Sequence, residues 1–140
     1  MTIEVLDVAE PRAPKKFTIT SVEDEKPDGT SERVQSEYVE ESWTPYLGPT
    51  AVLLARRIDR ILAHEHKYAV DIDKWAGSLG VTAEEVTAAC HRLVRYGLAR
   101  WADRDPMLII SRHWPKVPAA IRTPLHRRVL MGLPDVEMTA

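Results

Sequence analysis

Thr82, Thr87, His91, Arg92 and Arg95 crowd hydroxyl, imidazole and guanidinium groups into one short stretch, and Arg100, Arg112 and Lys116 follow it. These residue types bond phosphate oxygens or base edges, so their chemistry is reversible binding of a polyanion. Thr82 has a second use, because a threonine followed three residues later by Glu85 makes a capping box at a helix start. Metal binding is the rival chemistry, from His64-x-His66 and Cys90-His91. Histidines two apart on a helix point about 200° apart and rarely share an ion, and Cys90 falls on an apolar stripe, so no metal site is expected. Catalysis has no set of residues behind it: there is no Gly-rich phosphate loop, no G-x-S-x-G and no paired carboxylates among apolar residues. Neither an enzyme nor a cofactor is expected.

The basic residues need elements to hold them. From Pro49 to about His66, Leu54, Ile58, Ile61 and Leu62 recur at three- and four-residue spacing, which predicts a first helix. Arg56, Arg60, His64 and Lys67 read as its solvated face. Val70-Asp71-Ile72 is short enough for a single strand, expected to pair with the hairpin described next. Asp73 is placed to cap a second helix, Lys74 to Leu79, and Gly80 to end it in a left-handed conformation. Thr82 caps a third helix running to Tyr96, with Val86, Ala89, Cys90, Leu93 and Val94 inward and Thr87, Ala88, His91, Arg92 and Arg95 outward. Gly97 terminates it. Leu98–Trp101 and Met107–Arg112 read as two strands around the turn-forming Ala102–Pro106.

The 140-residue chain carries a net charge of −2 that hides a division. Residues 1–45 hold 5 basic and 11 acidic side chains, a balance of −6, whereas residues 46–140 hold 14 and 10, a balance of +4. Prolines and the run Glu23-Asp24-Glu25 predict a disordered acidic tail over residues 1–41, although Phe17–Val22 alternates like a strand that could join a sheet edge or a partner. The tail is also a possible docking segment for another protein. An ordered domain is expected over 42–117. A C-terminal helix and tail, 118–140, could pack back, pair two protomers into a homodimer, or add a basic surface. The start of the chain lacks the basic and apolar regions of a signal peptide and no apolar run is long enough to span a bilayer, so a cytoplasmic setting without membrane contact is expected.

Helix, short strand, helix, glycine turn, helix and hairpin is the order of a winged helix-turn-helix. Trp75-Ala76-Gly77-Ser78-Leu79-Gly80-Val81-Thr82, with Val86, Ala89, Leu93 and Gly97-Leu98, resembles the signature of bacterial winged-helix regulators. Leu53–Arg57, Arg92–Ala99 and Val117-Pro118 are in addition similar to a group of small, uncharacterised actinobacterial and actinophage proteins. The resemblance implies a mainly α fold with a small β-wing, a regulatory role and double-stranded DNA as partner. The third helix would then enter the major groove and the wing would touch the backbone. Two features oppose that use. Glu84 lies at the start of the third helix, and Asp103 and Asp105 flank Arg104 at the wing tip. The alternative is a module of the same fold that binds protein.

Overall fold

The structure, a computed structural model, describes residues 14–22 and 29–121. The chain enters as strand β1 (Lys16–Ser21), forms the two-residue strand β2 (Glu32–Arg33), and winds through a π-helical turn, Val39–Trp43, into the short helix α1 (Thr44–Leu47). Gly48, with φ 86° and ψ 155°, turns the corner into α2 (Pro49–Leu62). That backbone region is open essentially to glycine alone, and Pro49 at the first helical position is already set for the helix. Strand β3 (Lys67–Asp71) leads directly into α3 (Ile72–Leu79); α4 (Ala83–Arg95) follows, then β4 (Ala99–Trp101), β5 (Met107–Ile110) and β6 (His113–Trp114).

The apolar periodicity places the helical faces as expected. Leu54, Ile58 and Leu62 of α2 and Val86, Ala89, Cys90 and Leu93 of α4 are buried. The helix ends differ in detail. α2 stops at Leu62, short of His66, and α3 begins at Ile72 because Asp71, rather than Asp73, accepts the Lys74 N–H at 3.2 Å. At Gly97 the turn closes as expected: Leu98 N–H donates to the Leu93 carbonyl at 2.9 Å and Gly97 N–H to that of Val94 at 3.0 Å.

The sheet overturns the expected fold class. The described residues form a mixed α/β fold, with four α-helices and a four-stranded mixed sheet in the order β3-β1-β5-β4, and not a mainly α fold with a small wing. β1 lies between β3 and β5, antiparallel to the first and parallel to the second. The strand at Lys67–Asp71 therefore pairs with β1 instead of the hairpin, and β4 and β5 form half of a larger sheet. The expectation of a disordered tail is corrected for residues 14–22 and 29–41. Phe17 and Ile19, two residues apart, both point into the core at 3% and 0% exposure, and covering them outweighs the acidic and proline-rich character of their surroundings. β2 pairs with β6, and Val34 and Val39 are buried, so the folded part begins well before residue 42.

Phe17, Ile19, Leu108, Ile110 and Ala99 turn one sheet face toward the helices. Trp43 joins α1 to the rest, standing edge-on to Tyr96 at 6.0 Å and to Trp114 at 5.9 Å while its indole N–H donates to the Pro115 carbonyl at 2.9 Å. Beyond Trp114 the described chain ends in a 3₁₀ turn, Ala119–Ile121, so the expected C-terminal helix and its dimer lie outside the described residues. Among the described residues no helix is long and apolar enough to cross a membrane.

Candidate nucleic-acid interface

α3 and α4 are joined by a tight turn at Gly80, whose φ of 76° and ψ of 30° are left-handed. Val81 N–H returns to the Ala76 carbonyl at 3.0 Å, and Val81 packs against the core. The unit is held from behind by Arg57 of α2, whose Nη1 donates to Ser78 Oγ at 2.5 Å and whose guanidinium lies 5.4 Å from the Trp75 ring centroid. α4 is thereby fixed against α2 and α3 on its apolar side.

The structure separates the eight expected contact residues into two groups. Thr87, His91 and Arg95 stay together: spaced four apart, they form one row that runs beside the buried stripe of Val86, Ala89, Cys90 and Leu93, with His91 Nε2 itself buried. Thr87 and His91 are half-buried and Arg95 is exposed. Glu84 heads the same row, one turn toward the helix start.

The other five are engaged or directed elsewhere. Thr82 is occupied as a cap: its Oγ1 accepts the Glu85 N–H at 3.1 Å and donates to Glu85 Oε1 at 3.3 Å. Arg92 leans to the flank of α4, where Nη1 donates to the Leu47 carbonyl at 3.2 Å over the α1–α2 corner. A Cβ on Gly48 would stand 2.8 Å from that nitrogen. Arg100 alternates with the inward Ala99 in β4 and pairs across to Ile109, so it points from the sheet face turned away from α4. Arg112 Nε donates to Asp59 Oδ1 at 2.6 Å, and Gln35 Nε2 donates to the other oxygen of that buried carboxylate at 2.9 Å. Lys116 pairs with Glu32 and stands 4.3 Å from the Tyr38 ring centroid. The single basic face expected from the sequence is therefore not assembled.

Arg56, expected to be solvated, is a structural residue. It donates from Nε to the Val34 carbonyl at 3.1 Å and from Nη2 to that of Ser36 at 2.7 Å, with Glu40 Oε1 at 3.0 Å from Nη1. These bonds fasten the 34–40 segment to α2. Their partners are 16 or more residues away, and no local sequence signal reveals them. Cys90 is buried, which raises its thiol from 9.0 to about 12 and keeps it protonated and unreactive. Among the described residues no group of three His, Cys, Asp or Glu side chains is placed to hold a metal.

No family model, curated protein or solved structure matches this chain.

Proposed function

We propose that the protein is a cytoplasmic DNA-binding regulator that meets double-stranded DNA with α4 through Thr87, His91 and Arg95. One observation carries this reading: Thr87, His91 and Arg95 lie in one row along the second helix of a helix-turn-helix unit, with Arg95 exposed at its end. An α-helix fits the major groove, where a guanidinium bonds guanine O6 and N7 and a hydroxyl bonds base or phosphate. Glu84 and Glu85 repel phosphate at the helix start, so contact falls on the middle and last turns of α4. Arg92 supports this contact by anchoring the helix, and Arg112 and Lys116 serve the fold.

Selection from a random duplex pool at two salt concentrations tests the reading. A recovered motif with affinity falling as salt rises is the expected result. Affinity without a motif reduces the function to nonspecific binding, and no binding at low salt ends the DNA reading. In that case α4 serves as a protein-binding face, a second reading favoured by the two carboxylates in its first turn and by the intramolecular use of Arg112 and Lys116.

A further inference from the structure

β3 is an edge strand, and its sequence is complementary to itself. β1 covers one side of Lys67-Tyr68-Ala69-Val70-Asp71, and no other described strand covers the second. The hydrogen-bond phase is set by Ile72 N–H donating to the Lys15 carbonyl at 2.9 Å, so bonded pairs recur at Phe17–Val70 and Ile19–Tyr68. Lys67, Ala69 and Asp71 consequently direct their backbone groups outward. Lys67 and Ala69 are exposed, as is Tyr68 at 40%, an unusual openness for a large aromatic in a sheet. A groove of about 500 Å³ opens over β1 and β3, lined by Lys16, Thr18, Tyr68, Ala69, Asp71 and Pro106 among others.

We propose that two copies of this chain join along their β3 edges, antiparallel about a two-fold axis at Ala69, into one continuous sheet. In that register Ala69 faces the partner's Ala69 and the two exchange both backbone hydrogen bonds. Lys67 faces the partner's Asp71, and Tyr68 faces the partner's Val70. Each Asp71 N–H donates to the Lys67 carbonyl opposite, while the Asp71 carbonyl remains with the first turn of α3. Four backbone bonds, two ion pairs and two tyrosine contacts thus form from one five-residue strand by symmetry alone. A lysine on an edge strand normally discourages pairing. Here the symmetric register neutralises it.

The other edge lacks this property. β4 has three residues, and a two-fold axis at its centre sets Arg100 against the partner's Arg100. The dimer does not depend on DNA binding, and it uses a surface apart from α4.

Light scattering on the full chain over a concentration series tests the proposal, with a limiting mass of twice 15.9 kDa expected. Ala69→Pro removes an N–H that the protomer itself does not use and should give the monomer mass with an unchanged circular dichroism spectrum. Lys67→Asp sets two carboxylates together and should do the same. A decisive result comes from mixing Lys67→Asp with Asp71→Lys: each alone is monomeric, and the mixture forms a heterodimer whose charges again oppose. A wild-type monomer at every concentration overturns the proposal. So does a dimer that survives both Ala69→Pro and Lys67→Asp, since another surface then makes it. If Ala69→Pro loses its fold, the charge-swapped pair decides, and failure of the mixture to dimerise counts against β3.

Discussion

Gly48 combines two constraints that a side chain would break. Its backbone lies where only glycine is at ease, and the space beside it is filled by the Arg92 guanidinium. Gly48→Ala should cost about 1–3 kcal/mol in denaturant unfolding, and the displaced Arg92 should loosen the junction of α4 with α1. Asp59 is a comparable case in charge. Arg112→Ala would leave that carboxylate, 5% exposed, without its guanidinium partner while Gln35 Nε2 still donates to it, a loss of about 2–3 kcal/mol, below that of a fully buried pair because Arg112 is partly exposed. The thermal midpoint should fall accordingly. Cys90 governs an alkaline effect. Its thiol ionises near 9.0 when unfolded but only near 12 when buried, so the folded state binds more protons between those values. Stability from this residue is therefore complete below pH 9 and declines as pH rises, with a slope approaching about 1.4 kcal/mol per pH unit. Cys90→Ala should show a flatter decline above pH 9 in the same titration.

At the scale of elements, β1 and α4 carry the strongest expectations. β1 supplies Phe17, which stands edge-on to Trp101 at 5.2 Å, and it is the neighbour of both β3 and β5. Phe17→Ala should destabilise the fold by about 3–5 kcal/mol, and removal of residues 1–22 should abolish cooperative melting instead of trimming a tail. Calorimetry distinguishes the two behaviours. For α4, Arg95→Ala should weaken binding to a selected duplex by about 1–3 kcal/mol, whereas Arg92→Ala should lower the melting temperature. Equal affinity of the Arg95 variant and the wild type would remove Arg95 from the interface.

For the whole molecule, the arrangement is a sheet with its helices on one face and α4 presenting its row away from the sheet. The charge balance of +4 over residues 46–140 is a poor guide to the binding surface, because Arg56, Arg112 and Lys116 spend their charge on Glu40, Asp59 and Glu32. The proposed row holds one guanidinium, that of Arg95, so the salt dependence of its contact with DNA should be shallow, and Arg112→Gln should leave the slope unchanged while lowering stability. A steep slope that Arg112→Gln flattens would return that residue to the interface.

The local elements were legible in the order of residues alone. Period-3.6 apolar spacing located the buried faces of α2 and α4, Thr82 with Glu85 marked the start of α4, and Gly80 and Gly97 marked the left-handed stops. All these rest on interactions within a few residues, which composition and spacing record directly. The alternation in Phe17–Val22 was legible as a strand, but its place between β3 and β5 was not. Strand order depends on which hydrophobic face closes the core, a property of pairings some fifty to ninety residues apart. The same distance explains the candidate site. Thr87, His91 and Arg95 share a helix and remained one group, whereas the fates of Arg92, Arg112 and Lys116 were decided by Leu47, Asp59 and Glu32. Local rules set where side chains can point; long-range packing settled which partners Arg92, Arg112 and Lys116 would meet.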